Sequence, residues 1–248
     1  MSSRAQLFGV PVDRLTMDQT LDRCRNLVEA GGAAQHVVLN AGKVVMMQDD
    51  PGLRRIVGGC DIINADGMSI VWASRLLGTP VPERVAGIDL MERLLELSDQ
   101  EGWPVYFLGA RPEVLPRFVA RVRERFPRLR IAGSRDGYFS DARSVADAIA
   151  RAGARILFVG ISSPRKEYFL AEQLPQLGSI FAMGVGGAFD VWAGEARRAP
   201  VWMQRIGLEW FFRFLQEPRR MWRRYFFGNI RFAWLVLVAR LRAPGRET

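Results

Sequence analysis

The chain has 248 residues, 49% of them hydrophobic and 25% charged, which suits one large domain or two small ones with a real core and excludes a disordered polymer. Its formal net charge of +9 is local: residues 197–248 hold 12 arginines against 3 glutamates, while the 23 basic and 23 acidic side chains before them cancel. A single histidine, His36, excludes Ser-His-Asp, Cys-His and multi-histidine metal sites, and the two cysteines, Cys24 and Cys60, form neither a disulfide framework nor a zinc-binding spacing.

The first dozen residues contain no long apolar run after the basic start, so no secretory signal is expected. Residues 36–40 (HVVLN) read as a short strand ending in a polar residue, with a helix over 41–48. Residues 61–64 read as a second strand and 68–77 as a second helix. Over 87–101, Ile88, Met91, Leu94 and Leu95 recur at helical spacing. From there the rhythm is regular. Strand 104–108 is closed by Gly109, and helix 113–126, strand 129–132 and helix 142–152 follow. Strand 155–159 is closed by Gly160, helix 164–174 follows, and strand 179–183 is closed by Gly184.

Short apolar runs alternating with helices predict an α/β fold with a parallel sheet covered on both faces. Its second half, about 104–190, is Rossmann-like. A composition shift near Arg197 divides a catalytic body, 1–196, from a C-terminal basic, amphipathic helical appendage, 197–248.

In open α/β sheets, ligands bind beyond the C-terminal ends of the strands. Asn40 there can hydrogen-bond a sugar or cap the helix that begins at Ala41. Asp66, in a strand-to-helix turn, reads equally as a helix cap and as a general base; with one histidine, carboxylates are the candidate bases. In residues 160–167, Ser163 can cap a helix and Pro164 suits its first position; taken alone this reads as an ordinary capped helix with a solvated basic face, though free amides beside Arg165 and Lys166 would favour an anion. Residues 184–190 (GVGGAFD) approach a dinucleotide fingerprint, but Phe189 stands where its third glycine belongs. The turn still permits close backbone approach to a ligand, and Asp190 can hold a ribose or a base edge, or simply cap the turn.

There is no Walker motif and no Asp-x-Asp pair, so no metal and no cofactor is expected. A leaving diphosphate would rely on positive side chains and backbone amides. In the C-terminal segment, tryptophans and phenylalanines alternate with arginines, the pattern of a helix lying in a membrane interface. The longest charge-free apolar run near the end, 232–239, is too short to cross a bilayer. Part of 202–215 reads as core of the body, whereas 219–242 reads as interfacial. The same composition would also suit single-stranded nucleic acid, which keeps a nucleic-acid-binding protein as an alternative. A nucleotide-sugar oxidoreductase or epimerase is a second alternative, disfavoured by the broken fingerprint.

Residues 64–67 (NADG), 83–87 (ERVAG), 106–109 (YFLG) and 184–190 form one set of motifs, followed toward the end by Arg198-Ala199-Pro200, Glu209-Trp210, Arg213, Glu217-Pro218, Arg220 and Arg224-Tyr225. Through these, from about residue 7 to 230, the chain resembles the WecG/TagA/CpsF family of bacterial glycosyltransferases. The resemblance implies an inverting transfer from a UDP-sugar to a polyprenyl-diphosphate-linked saccharide, for teichoic acid, common antigen or exopolysaccharide. It further implies Asp66 as base and Asn40, Arg84 and Lys166 as substrate-binding residues. Gly109, Gly160, Gly184, Gly186, Gly187 and Asp190 would lie on the nucleotide, and Arg213, Arg220 and Arg224 on the lipid diphosphate. The expected partners are the donor, the lipid-linked acceptor and an anionic membrane surface on the cytoplasmic side, with no nucleic acid; a homo-oligomer stays open. Two departures, Val38 where the family often has threonine and Lys166 where it often has glutamine, leave the donor open between N-acetylmannosamine, glucose and a uronic acid that would pair with Lys166.

Overall fold

The computed structural model describes residues 4–216 and 218–242, with the side chains of 213, 219–226 and 242 outside the description. Two short strands open the chain, β1 (Arg4–Leu7) and β2 (Val10–Asp13), paired antiparallel. Helix α1 (Met17–Ala30) begins with a capping box, Thr16 and Gln19 each satisfying the other's backbone amide. None of these three elements was predicted.

Strand β3 (Ala34–Leu39) leads to α2 (Ala41–Asp49) and α3 (Pro51–Gly58). From the sequence, Asp49 and Asp50 before Pro51 look like a surface turn that ends a helix. In the structure Asp50 caps a further helix, accepting from the Leu53 amide, with Pro51 at the first helical position. Strand β4 (Ile62–Ala65) is followed by α4 (Met68–Leu76) and α5 (Gly87–Glu101). Then come β5 (Val105–Gly109), α6 (Leu115–Arg125), β6 (Ile131–Arg135), α7 (Ala142–Ala152), β7 (Ile156–Gly160), α8 (Arg165–Gln173), β8 (Phe181–Gly184) and α9 (Ala188–Trp192). Strand β6 starts two residues later than the predicted 129–132, where a register irregularity opposite Val105 and Tyr106 displaces the pairing.

The main sheet is six-stranded and parallel throughout, in the order β4-β3-β8-β7-β5-β6. Alternate residues of each strand face opposite sides. Val105, Phe107, Ile156, Phe158, Phe181 and Met183 pack with α1, α5, α6 and α9. Tyr106, Leu108, Leu157, Val159 and Ala182 face α7 and α8. At the other end of the sheet, Val37, Leu39, Ile63 and Ala65 pack beneath β1, β2, α2, α3 and α4. Both faces are covered, as a parallel sheet requires.

Three helices follow: α10 (Val201–Arg205), α11 (Glu209–Gln216) and α12 (Pro218–Arg242). Helix α12 returns to the body. Phe232 and Val236 are buried in the core around α2, and Phe232 meets the ring of Phe8 at 5.4 Å between centroids. This part of 219–242 therefore serves as core, contrary to the purely interfacial reading. Trp234, Leu237 and Leu241 on the same helix stay exposed.

Candidate active site

Because every strand of the main sheet points the same way, Asn40, Asp66, Gly109, Gly160 and Gly184 gather along one edge. Neighbouring strands β5 and β7 send the chain in opposite directions, β5 through α6 to the outer strand and β7 through α8 to β8. Such a reversal opens the crevice where α/β sheets bind ligands.

The β3–β4 side of this edge carries polar side chains. Asn40 caps α2, its Oδ1 accepting from the Lys43 amide at 3.0 Å. Asp66 does not cap the helix that follows it: α4 starts from Gly67 with no side-chain cap. Instead Asp66 Oδ1 accepts from the amide of Gly87, the first residue of α5, at 3.2 Å. Helix N-termini favour negative charge, so the carboxylate is held at the edge by a different helix from the one the sequence indicates. The Val85 amide donates to Ala65 O at 2.8 Å, which anchors the same segment to the end of β4.

Arg84 lies within that segment. Its Nη1 donates to Glu209 Oε2 at 2.7 Å and its Nη2 to Gln204 Oε1 at 3.2 Å, so α10 and α11 hold the guanidinium. Arg198 pairs with both Asp89 oxygens and stands 4.0 Å from Glu209 Oε1. Burial opposes the Arg198 charge, but Asp89, Glu209 and Asp66 together raise its pKa. Asp66, Arg84, Asp89, Arg198 and Glu209 thus form one cluster joining the body to the C-terminal helices. A groove of about 520 Å³ runs from Arg198 between α5, α6 and α9, flanked by Glu92, Arg125 and Trp192.

The β5–β7–β8 side is built from close backbone. A Cβ on Gly109 would lie 2.5 Å from Gly160 C, one on Gly160 2.5 Å from the Phe189 ring, and one on Gly184 2.8 Å from Lys166 Cε. Gly109 and Gly160 are therefore required by packing against backbone and a buried ring whatever they bind, and Gly184 lies close against the Lys166 stem. Gly186, at φ +55, has open space where a Cβ would stand. Gly187 precedes α9 and Asp190 lies in its first turn.

Lys166 does not project into an open cleft. It is buried, bonded to Ser163 Oγ and 3.0 Å from Glu167 Oε1. Glu167 Oε1 also accepts from Lys43 Nζ at 2.7 Å and from Ser163 Oγ at 2.9 Å. Ser163 thus joins this network and does not cap α8, whose start lacks a side-chain cap. Burial alone would raise the Glu167 pKa; the two ammonium groups outweigh it and hold the carboxyl at about 2. The only two lysines in the chain meet one carboxylate from helices on different strands.

Beneath Asn64, His36 Nε2 meets Asn64 Oδ1 at 2.9 Å, and Asn64 Nδ2 donates to Thr20 at 3.1 Å. Burial lowers the His36 pKa to about 4 against the Asn64 contact, which raises it, so the ring is neutral. Val38, the position of the first departure, packs against Gly87. Among the described residues no group of three or more histidine, cysteine, aspartate or glutamate side chains is placed to hold a metal.

Lys43, Glu167, Arg198 and Glu209 belong to the site and were not singled out as site residues from the sequence. A signal existed for Lys43, as one of two lysines among 35 basic residues. Arg213, Arg220 and Arg224 lie outside the described side chains.

A sequence profile of the Glycosyl transferase WecG/TagA/CpsF family matches residues 5–246. An N-acetylglucosaminyldiphosphoundecaprenol N-acetyl-beta-D-mannosaminyltransferase from Bacillus spizizenii is 39% identical over 175 residues, covering 71% of this chain and 68% of the relative. The chain is a glycosyltransferase and belongs to the WecG/TagA/CpsF family.

Proposed function

We propose that this protein transfers a sugar from a UDP-sugar to a saccharide carried on a polyprenyl diphosphate, with inversion and without a metal, in the assembly of a cell-surface polysaccharide. The relative's name supports the acceptor class: that enzyme acts on N-acetylglucosamine linked through diphosphate to undecaprenol. The observation that carries the reading is the carboxylate of Asp66 at the sheet edge, fixed by the Gly87 amide and facing the arginine cluster.

The acceptor hydroxyl oxygen attacks the anomeric carbon while Asp66 takes its proton, and the bond to the donor phosphate breaks with its electron pair leaving on UDP. Arg84 and Arg198 are the nearby positive charges for the two diphosphates, with Arg213, Arg220 and Arg224 assigned to the lipid. The nucleotide lies along Gly186, Gly187 and Asp190, where Gly186, unlike Gly109, Gly160 and Gly184, has open space before it. Asn40 contacts a sugar with whatever its capping role leaves free.

Lys166, already bonded within the Glu167 network, orders the donor end of the crevice more than it offers a free charge to a uronic acid. N-acetylmannosamine, the sugar in the relative's name, or glucose is accordingly favoured. The protein works on the cytoplasmic side, at an anionic membrane surface reached by the C-terminal segment. No described helix is long and apolar enough to cross a membrane.

Asp66→Asn tests the chemistry. General-base removal predicts a loss of about 10²–10⁴-fold in transfer to a polyprenyl-diphosphate acceptor, with UDP binding unchanged by calorimetry. Normal turnover of that variant would falsify the assignment of the base.

A further inference from the structure

We propose that α4, a helix of the body, is a second membrane-contact element that lies on anionic lipid beside the C-terminal helices. The proposal rests on the reading that the C-terminal segment docks to a membrane.

Helix α4 belongs to an excursion from the sheet edge that leaves and returns at Asp66. It departs through Gly67, and its return is pinned where Val85 donates to Ala65 O and Gly87 to Asp66. The intervening loop is closed, not slack: Thr79 donates to Ser74 O, and Val81 to Ser74 Oγ at 3.0 Å. One face of the helix, Ile70, Val71, Ala73 and Ser74, is buried in the body. The opposite face carries Trp72 and Leu76, 49% and 53% exposed, with exposed Arg75 between them. A large aromatic and a leucine left in water at helical spacing, with a cation alongside, are what an interfacial helix presents.

The face continues onto the C-terminal segment. Gly207, at φ +71, follows α10, and a Cβ there would stand 2.7 Å from the Trp72 ring and 3.0 Å from Met68 Cβ. The two elements are therefore in direct contact. Helix α10 and the residue that caps it add Trp202 and Ile206, 61% and 50% exposed, and the exposed Arg205. Body and tail together present one patch of alternating apolar and cationic side chains. The segment it joins holds 12 arginines against 3 glutamates, so the complementary surface is anionic lipid.

Asp66 lies two residues before α4, so lipid contact along Trp72 and Leu76 brings the candidate site to the membrane surface, where a lipid-linked acceptor must present its hydroxyl.

Both native cysteines are buried, so Leu76→Cys can be labelled selectively with an environment-sensitive fluorophore, with Arg151→Cys on α7 as the control. The labelled full chain is mixed with phosphatidylcholine vesicles containing or lacking phosphatidylglycerol. The label at 76 is expected to shift blue and be quenched by brominated acyl chains only on anionic vesicles, and the label at 151 to stay unchanged. Trp72→Ser with Leu76→Ser is expected to weaken vesicle partitioning about tenfold, from the apolar area withdrawn. If the chain sediments with vesicles while the label at 76 remains in water, the proposal fails and tail docking stands. If the chain does not sediment at all, both fail. If the label shifts with protein concentration in the absence of lipid, a second copy covers this face and the proposal is overturned.

Discussion

The two sides of the candidate site's edge solve different problems with different chemistry. On the β3–β4 side the strands end in Asn40 and Asp66, whose side chains bind backbone amides of α2 and α5. On the β5–β7–β8 side the strands end in glycines that let backbone, an aromatic ring and a lysine stem approach to within a Cβ's breadth. The first side offers functional groups, the second a closely packed floor. A transferase needs both, groups to move a proton and a floor against which a donor can lie. Glu167 ties the sides together, bonding Lys43 from the first and Lys166 from the second.

Breaking that tie is expected to have the largest effect on the fold. Glu167→Gln leaves two buried ammonium groups without their anion, a change that costs about 3–5 kcal/mol when a buried pair loses one partner. Urea unfolding measures it. A loss below about 1 kcal/mol, the range of exposed pairs, would show that the two sides are held independently of Glu167.

Acid loosens the same region in two steps. The folded-state pKa of His36, about 4, lies below its ordinary 6.5, so the unfolded chain binds the extra proton first. Stability from the neutral ring is complete above about pH 6.5 and is lost as pH falls toward 4, amounting to ~3 kcal/mol at 1.36 kcal/mol per pKa unit. Glu167 is also depressed, from 4.5 to about 2, so its contribution is present above 4.5 and lost as pH falls through that window. His36→Gln should flatten the upper part of the pH–stability curve and leave the part below pH 4.5 in place.

Much of the second side was legible in the sequence. Each apolar run closed by a glycine became a strand, because a parallel sheet buried on both faces demands continuous apolar runs and a sharp exit. The first side was less legible. Asp66 was read against the helix that follows it, but its partner is Gly87, twenty-one residues on. Lys43 and Glu167 are 124 residues apart and meet only because β3 and β8 are neighbours in the sheet. Local periodicity carries no strand order, so pairings across the sheet stay invisible until the order is known. Helix α3 was missed for a nearer reason: the capping aspartate and proline that start it also read as an end.

The glycines allow a finer separation. At Gly160 an added methyl would lie 2.5 Å from the Phe189 ring, which is fully buried and stacked on Phe118 at 4.1 Å. The ring has nowhere to go, so Gly160→Ala is an overpacking change of about 1–3 kcal/mol. Thermal melting should record the loss, and the KM for the donor should hold in whatever fraction remains folded.

Gly186→Ala is the smallest perturbation and the most informative. Its methyl would meet nothing within 4 Å, so packing contributes no cost. What remains is the left-handed backbone at φ +55, a strain of about 1–2 kcal/mol for a residue with a Cβ. If the floor of the second side receives the nucleotide, the methyl intrudes on the ligand instead of on the protein. The donor KM should then rise about tenfold, equivalent to ~1.4 kcal/mol, while the acceptor KM and kcat stay near wild type. Gly160→Ala and Gly186→Ala would thus separate in the donor KM, which holds in the first and rises in the second. Should Gly186→Ala cost only its strain and leave the donor KM untouched, the open space before Gly186 is not where the nucleotide lies. The donor would then have to be sought nearer Asn40 and Asp66, and the division of the edge into a chemical side and a floor would not survive.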